Sequence, residues 1–234
     1  MENHLSQFVG RLSQAAGDNL LSVVLYGSAA RQEFDSEFSD VNLLCVVREL
    51  APVELAGIAP AVSGWVRSGY PAPLIFSRRE LERSTDVFAI EMLDIQQHHR
   101  ILYGEDVFRN LHVPMERHRA ELEHELRTKL LLLRQHYLLA PADNKKVAAL
   151  MLDSVSNFAT LFRHTLLTLG GLPSGAKPEV VQELARRLRF DPRPFLDLLA
   201  VRNHSLETKA LDVQTTFAGF LLGIEKVVAA VDDL

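Results

Sequence analysis

The sequence predicts an α+β protein in two parts: a mixed sheet with flanking helices, then an all-α helical bundle. Three observations carry this. Leu21–Tyr26, Val41–Val47 and Leu74–Phe76 are short apolar runs bounded by polar residues, and they read as buried strands. Beyond Leu111-His112-Val113-Pro114 the short runs give way to long stripes of helical period. The chain has 234 residues, 47% of them hydrophobic, which is room and material for two small cores. The expected domains are residues 1–112 and 113–234.

In the first part, Leu5, Phe8, Val9 and Leu12 form a helical stripe that Gly17-Asp18-Asn19 stops. The first two strands follow, with a polar connection between them. Pro52 opens a helix with Leu55, Ile58, Val62 and Trp65 on one side, and Gly69-Tyr70-Pro71 ends it. Ser77 and Glu80 fit a capping box over a short charged helix whose arginines read as a solvated face. In the next stretch Phe88, Ile90 and Met92 alternate, so a strand is expected at Val87–Ile95, while the composition of Ala89–Ile95 would also suit a helix. Neighbouring His98 and His99 would point apart and read as loop or edge histidines. Ile101–Tyr103 is a last short strand, closed by Gly104-Glu105-Asp106.

Five amphipathic helices are expected in the second part. Leu122, Leu126, Leu130, Leu133 and Tyr137 mark the first. Asp143 is a good N-cap for the second, which turns Val147, Met151, Val155, Phe158, Phe162 and Leu166 inward. Pro178 starts the third, Asp191-Pro192 the fourth and Asp212 the fifth. Short connections between such helices argue a bundle. The Arg186-Arg187-Arg189 group reads as a solvated face, and Arg202-Asn203-His204 as a polar helix end or part of a cleft lining.

A net charge of −5 argues against holding nucleic acid by bulk electrostatics. The lone cysteine, Cys45, falls in a predicted strand and reads as a small buried hydrophobe. One cysteine allows no internal disulfide, which suits a reducing cytoplasm. Met1-Glu2-Asn3-His4 does not start a signal peptide, and the Leu130–Leu133 run is too short to span a bilayer. The expectation is a cytoplasmic protein away from membranes.

The chemistry concentrates between Leu21 and Val47. Gly27 ends the first strand without a Cβ, so backbone can come close to a ligand. If Ser28 to Arg31 begin a helix, their N–H groups favour phosphate. Arg31 could steer a triphosphate. Asp40 and Asn42 are two apart at the start of the second strand and so share a face. Oxygen ligands beside a phosphate cradle suit magnesium. Glu33, Asp35 and Glu37 in the connection read as a solvated loop.

Gly27-Ser28, Arg31 and Ser39-Asp40-Val41-Asn42-Leu43-Leu44 together resemble the signature of the DNA polymerase β-like nucleotidyltransferase superfamily. Leu102-Tyr103-Gly104-Glu105-Asp106 is similar to the exit of such domains in small bacterial members with a C-terminal bundle. The resemblance implies Mg²⁺- or Mn²⁺-dependent transfer of a nucleoside monophosphate from a triphosphate to a hydroxyl of a small molecule or protein. It implies Asp40 as catalytic and metal-binding residue, Asn42 as second metal position, and Gly27, Ser28, Arg31 and Asn42 on the nucleotide. It also implies that the bundle covers the substrate side or makes a homodimer.

The sequence departs from that signature twice. The second acid is an amide, Asn42, which brings no charge to a metal clamp. The strand candidate Pro73–Phe76 carries no acid, which leaves Glu91 and Asp94 as candidates for the third carboxylate. Both departures also fit an alternative: a non-catalytic nucleotide-binding or regulatory protein of the same fold.

Overall fold

The computed structural model describes residues 1–30, 41–171 and 175–234. The chain divides into two units, Met1–Met115 and Glu116–Leu234.

The first unit is a four-stranded mixed sheet. Its strands are β1 (Leu20–Tyr26), β2 (Asn42–Val47), β3 (Leu74–Ser77) and β4 (His99–Gly104), in the order β3-β2-β1-β4. β1 is antiparallel to β2 and β4, whereas β2 and β3 are parallel. Val23, Val24, Leu25, Leu44 and Val46 are completely buried, which explains why the central strands read as continuous apolar runs: both faces are covered. Each such side chain contributes about 1.5–3 kcal/mol by leaving water.

One face carries α1 (Glu2–Ala16) and α2 (Pro52–Arg67), packed on Val23, Leu25, Leu43, Cys45 and Val47. Trp65 is buried there, donates from Nε1 to Pro71 O at 2.8 Å and stacks on Tyr70. Burial pushes the Cys45 thiol up to about 12, so it stays protonated and inert. The other face carries α3 (Arg78–Arg83) and α4 (Ala89–Gln97), packed on Val24, Leu44 and Val46. The expected capping box opens α3: Glu80 N–H donates to Ser77 Oγ, and Ser77 N–H to Glu80 Oε2.

The strand expected at Val87–Ile95 is instead α4, and the correction has a physical reason. Its buried residues are Ala89, Ile90, Met92 and Ile95, a set of helical spacing, while Phe88 is exposed. The alternation counted Phe88 as an inward residue, which it is not. The last strand also starts earlier than expected, at His99.

The second unit holds α5 (His118–Leu139), α6 (Asn144–Thr168), α7 (Lys177–Leu188), α8 (Arg193–Arg202) and α9 (Val213–Asp232). α6 is central and packs on the other four. Phe158, Phe162, Phe190, Phe195 and Phe220 form a chain of ring contacts, the closest being Phe195–Phe220 at 4.7 Å. Asp143 caps α6 by accepting from the Lys145 and Lys146 N–H groups, and Asp212 caps α9 by accepting from Thr215. Among the described residues one helix, α9, is long and apolar enough to cross a membrane, with a mean hydropathy of 1.3. Here its Phe217, Phe220, Ile224, Val227 and Val231 are buried against other helices of the bundle.

Two histidines are buried inside this unit. His118 on α5 and His164 on α6 share a hydrogen bond of 2.9 Å, with Thr168 Oγ1 at 3.4 Å from His118. Burial first, and His164 second, push His118 down to about 4 from its ordinary 6.5. The folded state therefore binds fewer protons than the unfolded chain below pH 6.5. Stability is full above that value and is lost as pH falls toward 4, by about 3 kcal/mol from this group. Urea unfolding followed by far-UV circular dichroism at about pH 7.5 and about pH 4.5 checks this. Equal midpoints for the helical transition count against it.

Candidate functional site

Tyr26 is the last residue of β1, and it pairs directly with Asn42 of β2 and with His99 of β4. Directly paired residues present their side chains on one face. Asn42, Tyr26 and His99 therefore form a row across one end of the sheet, on the face covered by α4. Gly27 follows at once, with φ +75, and opens a 3-10 turn, Gly27–Ala29, that contains Ser28. A Cβ added to Gly27 would stand 3.1 Å from Asn42 Nδ2. Two residues 15 positions apart thus border the same small space. Ser28 and Asn42 are both half-buried, so solvent reaches them.

The remaining candidates are placed less evenly. Arg31 and Asp40 lie outside the described residues. Glu91 and Asp94, considered for a strand, sit on the helix α4. Glu91 is exposed in its first turn, and Asp94 is half-buried. Glu91 is nonetheless tied to the row at the sheet end. Burial first, and the Glu91 carboxylate second, push the Tyr26 phenol up to about 12. Tyr26 is therefore a neutral O–H donor at ordinary pH, held near a carboxylate.

Sequence reasoning passed over Tyr26 and treated His99 as an edge residue. The signal for Tyr26 was its place immediately before Gly27. His99 had none in the local pattern, because its partners come from elsewhere. Its Nδ1 is 2.8 Å from Ile95 O and its Nε2 is 3.2 Å from Asp106 Oδ1. Asp106 also accepts from Phe108 N–H, so this group ties the segment after β4 back onto the sheet.

β3 lies beside β2 in parallel, and its residues Leu74, Ile75, Phe76 and Ser77 include no acid. Among the described residues, no three His, Cys, Asp or Glu side chains stand close enough to hold a metal ion. The described residues thus do not fit a clamp for two cations. The space over Gly27, which a Cβ would fill, fits a phosphate. A separate cleft of about 450 Å³, lined by Arg78, Glu82, Thr85, Glu105, Asp106 and His112 among others, gathers none of the candidate residues.

No family model matches the sequence, and no curated protein matches it. A structural match does exist. The crystal structure of spectinomycin adenyltransferase AAD(9) from Enterococcus faecialis, solved with ATP and spectinomycin, superposes with a TM-score of 0.59. The match covers 96% of this chain and 99% of that one at 13% identity. The chain shares the fold of that adenyltransferase. At that identity the likeness concerns the fold alone, and it extends over both units. In this fold Gly27 and Asn42, both from the stretch that resembles the nucleotidyltransferase signature, stand at one end of the sheet.

Proposed function

We propose that the chain is a nucleotidyltransferase that moves a nucleoside monophosphate from a triphosphate to a hydroxyl of a small molecule or protein. The observation that carries the reading is the meeting of Gly27 and Asn42 at one end of the sheet, within a fold of this kind. The structural neighbour is described with ATP and a small-molecule acceptor, which supports the same two ligand classes here.

Gly27 and Ser28 hold the phosphates, with Arg31 steering the triphosphate. In the transfer the acceptor oxygen forms a bond to the α-phosphorus, the bond from that phosphorus to the bridging oxygen breaks, and pyrophosphate leaves. The hydroxyl proton passes to a carboxylate. Glu91 is the better candidate than Asp94, because it is exposed and lies near Tyr26. Positioning of the two reactants supplies much of the acceleration. Magnesium or manganese, held by Asp40 with Asn42 as a neutral ligand, would supply positive charge against the triphosphate. The helical unit serves the acceptor side or a contact between two chains.

The test is calorimetry with each nucleoside triphosphate, with and without magnesium, followed by pyrophosphate release in the presence of hydroxyl acceptors. Binding strengthened by magnesium, with pyrophosphate released, is the expected result. Failure of every triphosphate to bind removes the reading.

A second reading is favoured by the neutral Asn42 and by a β3 without an acid: a nucleotide-binding regulator that transfers nothing. Asn42→Asp separates the two. A rise in magnesium affinity or in turnover marks an enzyme with a weakened metal site. Triphosphate binding indifferent to magnesium, with no pyrophosphate before or after the substitution, marks the regulator.

A further inference from the structure

We propose that Asn42 donates a hydrogen bond from Nδ2 to a phosphate of the bound triphosphate, so that nucleotide binding persists when divalent cations are removed. The inference rests on the nucleotide reading above and goes beyond it in assigning Asn42 a donor role toward the ligand itself.

The geometry comes first. The Asn42 nitrogen stands 3.1 Å from where a Cβ of Gly27 would be, so it borders the space over the bare α-carbon. A phosphate oxygen resting against that α-carbon comes within reach of an N–H donor. Asn42 is paired to Tyr26 in the ladder, so its backbone cannot drift from Gly27 without breaking the β1–β2 register. The side chain is half-buried, which leaves it open to a ligand while limiting competition from water.

The chemistry then separates Asn from Asp at this position. An ionised aspartate has only acceptor oxygens, so facing a phosphate it needs a cation between them. A carboxamide offers two N–H donors and no charge. It contacts the phosphate directly and adds no repulsion. The residue that looks like damage to a metal site is then a phosphate ligand in its own right.

The test is ATP binding by calorimetry, in magnesium and in excess EDTA, for the wild type, Asn42→Asp and Asn42→Ala. The wild type is expected to bind in EDTA within about tenfold of its affinity in magnesium. Asn42→Asp is expected to lose about tenfold or more in EDTA and less in magnesium. Asn42→Ala is expected to lose about tenfold to a hundredfold in both, the scale of one hydrogen bond to a charged group. A second measurement needs no variant: the side-chain amide resonances of Asn42 in ¹⁵N-labelled protein should move when metal-free ATP is added.

Wild-type binding seen only with magnesium overturns the inference and leaves the nucleotide reading standing. So does Asn42→Asp binding ATP in EDTA as the wild type does, or an Asn42 amide that ATP leaves unmoved. Absence of ATP binding by the wild type in both buffers overturns the nucleotide reading, and this inference with it.

Discussion

Gly104→Ala is expected to unfold the sheet unit. Gly104 ends β4 with φ +73, and a Cβ there would stand 1.9 Å from Leu21 O. The backbone conformation alone costs an L-residue about 1–2 kcal/mol. The contact costs more, because the obstacle is a carbonyl of the central strand rather than the end of a flexible side chain. Relief requires β4 to separate from β1, whose Ser22 pairs with Gly104. Separation also breaks Glu105 N–H to Leu21 O at 3.2 Å and Ser22 Oγ–H to Glu105 O at 2.7 Å. The expected loss exceeds about 4 kcal/mol, a size reserved for disruption of this kind. Trp65 is the only tryptophan and is buried in this unit, so its fluorescence reports the transition. Gly10→Ala is the control. Gly10 lies within α1 with nothing inside 4 Å of its Cβ position, and alanine there should stabilise by up to about 1 kcal/mol. A Gly104→Ala protein whose Trp65 transition matches the wild type would mean that the close approach of β4 to β1 is not real.

The contrast between those two glycines shows what a sequence carries and what it hides. β1 and β2 were legible because burial on both faces leaves runs of Val and Leu that little else produces. The bundle helices were legible because one apolar stripe repeats over several turns, and because Asp143 and Asp212 are short acceptors at helix starts. α4 was not legible: in nine residues, a strand period and a helix period differ by the fate of one side chain, and Phe88 was counted on the wrong side. The candidate site divides the same way. Gly27 and Asn42 could be named from a local pattern, but their contact follows from the β1–β2 register, which the sequence does not print. Glu91 on α4 acts electrostatically on Tyr26 of β1, and His99 finds Asp106 across a turn. Each of these pairs is a product of tertiary structure, so no spacing rule could have singled it out.

Gly27→Ala is expected to abolish triphosphate binding while leaving the fold intact, and it tests the site where Gly104→Ala tests the scaffold. The methyl would meet Asn42 Nδ2 at 3.1 Å, the tip of a half-buried side chain that can yield by a few tenths of an ångström. With φ +75, the backbone term is again about 1–2 kcal/mol, which lowers the unfolding midpoint without removing it. The effect on the ligand is larger. The methyl occupies the space that the phosphate needs, pushes the Asn42 amide away from it, and shields backbone that the phosphate would approach. Loss of one charge-assisted contact is worth about 1.5–3 kcal/mol, and two such contacts are disturbed together, so affinity should fall by about a hundredfold or more. Ser28→Ala removes only a hydroxyl and should cost less than about tenfold. The ordering of the two variants matters more than either value. If Ser28→Ala weakens ATP binding more than Gly27→Ala does, with both proteins folded by Trp65 fluorescence, the phosphate is held by side-chain oxygen rather than by the bend. If neither changes it, the nucleotide lies elsewhere on the molecule, and the pairing of Tyr26 with Asn42 is only the way this sheet ends.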